Sequence, residues 1–488
     1  MFEDATGAVY VYAGVFRNWP SNQASPAHGD EYVEGYFVRF DGRRFDWFKP
    51  GPPFVWGTVG ERFILRARNG EYWLASGYGL FRYAPLATFD AIRTAKPIRI
   101  IDKKDGLRDV VVYRLLEDSR QDVWFSIFSR IGNGLFRWNR ATDTVRDMAA
   151  VPGFPRNVDE LPPAIGEDGA GNIWIGLNDG AARYRNDTFA LFKTANGTPL
   201  GRIVDIRTDA ARRLWLASAH SGLIKVDETS ADAPTFRRYT TAEGLSSNNL
   251  QVITEDLHGR LYLATSRGVD QMDPITGAVR QFTTEDGLAA GTVLTAFRDG
   301  TGALWFGSAT GLSRFMPAPP VATAPPAVLI TGVTIGGRPW PVSAVGETSL
   351  ALPDLRPGGQ HLQIDYASLR FAAGERLRYQ YRPEGSDDDW GPVTSRRSVS
   401  FASFSAGTYR FLVRAVSADV VVSPHPAVVA FTVLPPLWLR WWFMTLAALA
   451  LGAAALAFHR YRLAWTLELE RVRTRIANDL HDDVGART

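Results

Sequence analysis

The chain has no cysteine, which excludes a disulfide framework, a thiolate metal site and a cysteine nucleophile. It leaves the compartment open, because an exported bacterial protein can do without disulfides. An excess of one charge is also missing: 54 Lys and Arg face 51 Asp and Glu, so net charge suggests neither a nucleic-acid surface nor an acidic substrate. No two of the seven histidines have metal-ligand spacing, no P-loop occurs, and the N-terminus shows no charged start, apolar run and small-residue cleavage site. What is abundant is turn-forming and aromatic: 45 Gly, 29 Pro and 12% aromatic residues in 488 fit several β-rich domains better than a helical protein.

A unit of roughly 40 to 60 residues recurs from the N-terminus to about residue 316. Its core is a polar turn, an aromatic anchor and then a strand opened by Gly. The copies are GAVYVYAG (7–14), NGEYWLAS (69–76), QDVWFSIF (121–128), GNIWIGLN (171–178), RRLWLASA (212–219), GRLYLATS (259–266) and GALWFGSA (302–309). Their anchors are Tyr10, Trp73, Trp124, Trp174, Trp215, Tyr262 and Trp305, and strands such as GLFRY (79–83) and GLIKV (222–226) follow. A packing residue is needed in every copy, so the anchors read as core. Seven such units predict a mainly β protein beginning with a seven-bladed β-propeller, residues 1–316. The pattern resembles the two-component regulator propeller repeats of a class of sensor kinases, whose members often carry further repeats upstream.

Departures from the repeat carry the candidate ligand residues. Tyr10 to Gly35 spans 25 positions and Trp124 to Gly134 spans ten, where most copies have six or seven. These insertions are expected to be long hairpin loops projecting from one rim, and they place Trp19, His28, Tyr32 and Arg130 there as candidates for ligand contact. Only Met1 to Asp4 precede the first turn, too few for a full inner strand, so Met1 is expected not to be the natural start.

The Pro/Ala-rich stretch 317–327 reads as an extended linker. Residues 328–434 then alternate apolar and polar positions, as in HLQIDYASLRF (361–371) and GTYRFLVRAVS (407–417), which predicts a fibronectin-like β-sandwich. The placement of Tyr379, Tyr381, Trp390, Gly407 and Tyr409 resembles the Y_Y_Y domain, with Arg382 and Pro383 as a departure. These tyrosines read as core packing rather than a sugar site.

Residues 441–458 contain no charge and, at about 1.5 Å per residue, cover most of a bilayer core of about 30 Å. With Leu437 to Leu439 extending it, a transmembrane helix over 437–460 is predicted, with Trp438, Trp441 and Trp442 at one interface. Arg460, Arg462, Arg471, Arg473 and Arg475 follow the span and only Arg440 closely precedes it, which puts the C-terminus in the cytoplasm and the propeller outside.

Residues 461–488 continue as an amphipathic helix whose stripe of Trp465, Leu469, Val472, Ile476, Leu480 and Val484 suits a parallel homodimer. Beside that stripe, RTRIANDLHDDVGA (473–486) holds a histidine followed by two carboxylates. An imidazole is nucleophilic only when unprotonated, so a neighbouring base that holds the other ring proton activates it. The stretch resembles the H-box of bacterial sensor histidine kinases of the HisKA_3 type. That resemblance implies His481 as phosphoacceptor, Asp482 as base, Arg475 and Asn478 as contacts for a catalytic domain or partner, and a response regulator as recipient. It also implies that ATP and Mg²⁺ bind a catalytic domain the chain does not contain, so the chain should be inactive as a kinase alone; it binds no cofactor or metal of its own.

The leading expectation is therefore the sensory, membrane-spanning and phosphoacceptor portion of such a kinase in a bacterial inner membrane, responding to an extracytoplasmic ligand, a glycan being one class. A membrane-anchored propeller receptor without phosphorelay is the rival. A propeller enzyme fits less well, because no acid, base or metal cluster stands out from the repeat.

Overall fold

The computed structural model describes residues 1–18, 31–49, 62–128, 133–155, 164–195, 197–319, 325–356, 361–368, 377–384, 390–402, 404–417 and 421–485, with backbone only for residues 15–18, 31–34, 128, 384, 477 and 479–485. They form two compact units, one of residues up to 324 and one from Pro325 onward.

The first unit is a run of antiparallel meander sheets, here called blades one to seven, in which the chain passes from an inner strand outward. The inner strands are Phe2–Glu3, Ile64–Arg66, Val111–Glu117, Ile165–Glu167, Ile203–Thr208, Leu250–Glu255 and Val293–Arg298. Each inner strand packs on that of the next blade, and the ring closes where the Gly300 amide donates to Glu3 Oε2 at 2.6 Å and Phe40 meets Trp305 at 5.3 Å. This is a β-propeller. All seven anchors are no more than 2% exposed, so the repeated aromatics are core.

The turn before each anchor explains why the aromatic recurs. In six blades an aspartate stands six residues earlier: Asp4, Asp118, Asp168, Asp209, Asp256 and Asp299. One carboxylate oxygen accepts turn amides, as Asp168 Oδ1 does from Ala170 and Asn172 at 2.9 Å each, while the other accepts from the anchor, as Asp168 Oδ2 does from Trp174 Nε1 at 3.0 Å. A buried indole N–H thus finds an acceptor, and the turn is tied to the strand it feeds. Burial by itself pushes the carboxyls of Asp4, Asp168 and Asp299 up, but these hydrogen bonds outweigh it and hold them below the usual range. The third residue after the aspartate has positive φ, so it is mostly Gly; Gln121 (φ 66°) and Arg212 (φ 65°) are the exceptions. The Gly that opens a third strand answers a different need: a Cβ at Gly180, Gly222 or Gly268 would strike the carbonyl oxygen of Phe192, Tyr239 or Phe282 on the outer strand.

One feature differs from the sequence expectation. The insertion in blade one is not simply a loop: strands Val9–Asn18 and Glu31–Phe40 stay paired to the end, with Asn18 opposite Glu31. Extended pairing satisfies the backbone of the inserted residues, which a loose loop would leave to water. Blade seven shows three strands among the described residues, where the others show four. On the face of blade one turned toward it, Phe45 and Trp47 are 59% and 68% exposed, whereas Phe236 on the outer strand of blade five lies 5.7 Å from Phe192 of blade four.

In the second unit two four-stranded sheets face one another, Arg338–Trp340, Val328–Ile335, Leu362–Ser368 and Ser398–Phe401 against Ser349–Ala351, Ala427–Val433, Gly407–Val416 and Arg378–Glu384. Alternate residues Ile364, Tyr366, Val413, Val429 and Phe431 fill the space between. After Val433, Leu437–Leu439 form a 3₁₀ turn rather than extending the helix. Arg440, in extended backbone (φ −76°, ψ 140°), separates that turn from helix α1, which runs from Trp441 to Gly485 without a break.

Candidate functional site

Helix α1 (Trp441–Gly485) holds 45 residues and is about 68 Å long. Its apolar part is long enough to cross a membrane, and that stretch is not buried in the protein. Leu446, Leu449, Leu451, Leu456 and Phe458 are all exposed, a surface that water would not tolerate but lipid would.

The same helix carries the phosphoacceptor candidates. At about 100° per residue, Arg471, Arg475, Asn478 and Asp482 fall on one face, and His481 stands about 60° round from Asn478. Arg475 and Asn478 are exposed. His481 and Asp482 lie on the helical backbone, and their side chains are outside the described residues. No ion pair holds Glu470, Arg471, Arg473 or Arg475 among the described residues, so this segment presents its charges outward.

Of the rim candidates, Tyr32 is on a strand, opposite Arg17, rather than in a loop, and its side chain lies outside the described residues. Trp19, His28 and Arg130 also lie outside them. In the sandwich, Tyr379 is 2% exposed and packs on Tyr366 at 5.1 Å. Trp390 is held between two guanidinium groups, Arg414 at 4.1 Å and Arg382 at 5.2 Å from its ring, so the departure from the domain pattern at Arg382 gives that ring a cation. Among the described residues no group of three or more His, Cys, Asp or Glu could hold a metal ion.

Pattern reading missed a charged cluster on the inner strands. Arg62, just before the inner strand of blade two, places Nη2 3.2 Å from Asp205 Oδ1 on blade five. Arg114 of blade three donates from Nη2 to the Val204 carbonyl at 3.2 Å, with Nη1 3.9 Å from Asp205 Oδ1. Blades two and five are not neighbours, so these contacts cross the central axis of the ring. The available signal was charge inside otherwise apolar strands, as in VVYRLLE (111–117) and IVDIRT (203–208).

Residues 370–434, the later part of the sandwich, match the Y_Y_Y domain. Histidine kinase P4 of Formosa agariphila is 30% identical over 138 residues, which is 27% of this chain and 10% of that protein. The extracellular domain of the putative hybrid two component system BT3049 from B. thetaiotaomicron superposes with a TM-score of 0.57 over 86% of this chain and 58% of that one, at 20% identity. PorZ, a surface component of the type-IX secretion system of Porphyromonas gingivalis, gives a TM-score of 0.48 at 14% identity, over 88% and 59% of the two chains. The match thus spans about a tenth of the curated relative's length and less than two thirds of the BT3049 domain. At 20% identity the likeness to BT3049 is one of fold, mainly β and propeller-like.

Proposed function

We propose that this chain is the sensory, membrane-spanning and phosphoacceptor portion of a two-component sensor histidine kinase. The observation that carries the reading is the unbroken helix α1, which joins an apolar span to the LHDDVG sequence without an intervening domain. The Y_Y_Y match, the histidine kinase relative and the BT3049 fold point the same way. The arginines after the span support a reading in which the C-terminal end of α1 is in the cytoplasm and the propeller lies outside the membrane. The apolar stripe from Trp465 to Val484 pairs two copies in parallel.

In this reading neutral His481 attacks the γ-phosphorus of ATP held by a separate catalytic domain. The N–P bond forms as the bond from that phosphorus to its bridging oxygen breaks, and ADP leaves with the electron pair. Asp482 holds and then takes the proton of the other ring nitrogen, which keeps the attacking nitrogen's lone pair free. Asn478 and Arg475, about one and two turns closer to the membrane, contact the catalytic domain or the response regulator. A carboxylate of the regulator's receiver domain then accepts the phosphoryl group. Ligand binding outside biases the propeller and sandwich, and α1 carries the change to His481 as a shift in how it is presented.

The test is trans-phosphorylation of the full chain in detergent. With ATP and Mg²⁺ alone it stays unlabelled; with a histidine kinase ATP-binding domain added it is labelled, and His481→Gln abolishes the label. Label persisting in His481→Gln, or none in the wild type with several such domains, rejects the assignment and favours a membrane-anchored receptor.

A further inference from the structure

Among the described residues, the cluster on the propeller axis holds four arginines and two carboxylates. Arg62, Arg114, Arg207 and Arg298 meet there with Asp205 and Glu255 as nearby carboxylates. Both carboxylates are already engaged. Asp205, fully buried, takes Arg62 and Arg114 on Oδ1 and the Ile253 amide on Oδ2 at 2.9 Å. Glu255 accepts the Ala210 amide on both oxygens at 3.1 Å. Arg298 donates from Nη1 to the carbonyls of Glu255 and Asp256 at 3.1 and 2.9 Å.

Among the described residues of the cluster, Arg207 is the remaining cation. It sits two residues beyond Asp205 on the same strand, hence on the same side, and its Nε is shut off from solvent without an acceptor. Its guanidinium makes no hydrogen bond or ion pair with any described residue. Burial disfavours its charge first and the charge of Arg62 adds to that, so its pKa lies below the usual arginine range. A guanidinium keeps its proton even so, and one largely drawn out of water, with Asp205 and Glu255 nearby but already engaged by other groups, is unfavourable. The protein keeps that arrangement on the one line where its blades converge.

We propose that the propeller axis is an anion site, where a small oxyanion group (phosphate, sulfate or carboxylate) pairs with the fork of Arg207 and draws on the charge of Arg62. The planar fork suits two oxygens of one such group. Because the cluster is assembled from blades two, three, five, six and seven, a bound anion ties together strands that share no sheet. The inference does not depend on phosphorylation of His481, and its test does not read phosphorylation.

The experiment is thermal unfolding of the full chain in detergent, followed by tryptophan fluorescence, with inorganic phosphate or sulfate titrated against chloride at equal ionic strength. The wild type is expected to show a saturable rise in Tm with the oxyanions and none with chloride, since a ligand that binds only the folded state stabilises it. Arg207→Met is expected to raise Tm in oxyanion-free buffer, by removing an unpaired charge, and to lose the oxyanion-dependent rise. Arg207→Lys, which retains charge but not the fork, tests the same point where the methionine variant does not fold; its affinity should fall at least about tenfold. No saturable rise in the wild type, or an equal rise in Arg207→Met or unchanged affinity in Arg207→Lys, overturns the proposal.

Discussion

Blade five and blade two are built on one repeat and solve the same problem differently. In blade five, Asp209 accepts the Trp215 indole at 2.8 Å, the Arg213 amide at 2.8 Å and Arg213 Nε at 2.6 Å. In blade two the corresponding residue is Ala67, and the buried Trp73 Nε1 has no acceptor among the described residues. The turn itself survives, with the Ala67 and Gly70 amides making their 2.8 Å backbone bonds. Trp73 is instead packed on Trp138 at 4.7 Å and covered by Arg82, which Glu71 holds at 2.6 Å. Burial pushes the Glu71 carboxyl up, but the Arg82 hydrogen bonds outweigh it and lower it overall. The difference teaches that the backbone makes the turn, whereas the aspartate connects it to the aromatic it precedes.

The sharpest way to break the comparison is Asp209→Ala, which makes blade five like blade two without its compensating arginine and glutamate. It leaves a buried indole and a buried amide unsatisfied, and should lower unfolding free energy by about 3 kcal/mol in denaturant titration. A loss below about 0.5 kcal/mol would show that the carboxylate is dispensable in every blade.

Acid comes next. Asp4, Asp168 and Asp299 have folded-state pKa values below their unfolded value of about 3.9, so their contribution is present above that pH and is lost as pH falls through the lowered folded values. Stability should stay flat from pH 7 to about 5 and decline steeply below about 4. Amide exchange should rise with acid at the Asp168 turn before it does at the Ala67 turn, which has no such carboxylate.

In the reverse direction, Ala67→Asp should supply Trp73 with its missing acceptor, raising stability by about 1 kcal/mol and slowing exchange of that indole proton. The smallest effect belongs to the turn backbone: Gln121→Gly should relieve the positive φ at a gain of about 0.5 kcal/mol, since glycine's larger unfolded-state entropy cancels part of it.

Much of this was legible because it is local. The anchors, the Gly after each and the uncharged run at 441–458 are short-range patterns, and the structure places the anchors in the core and the run on a bare helix. The aspartates six residues before the anchors were equally readable, but an acidic turn alone does not announce which side chain it will bond. Tyr32 was placed in a loop because a 25-residue gap looks like an insertion, yet the inserted residues pair across the hairpin as far as Asn18 and Glu31. Likewise Leu437 to Leu439 are apolar enough for the span, but Arg440 is in extended backbone and sets them apart as a separate 3₁₀ turn.

The Arg62–Asp205 pair belongs to a different class of fact. The two residues lie in separate repeats, and no periodicity links them; they meet only because blades two and five face each other across the axis of a closed ring. Side-chain period, turn chemistry and hydropathy act over a few residues, so the residue order settles the blades, the sandwich strands and the apolar span. Ring closure acts over the whole unit, so only the assembled propeller decides which charges converge on its axis and leaves Arg207 Nε among them without an acceptor among the described residues.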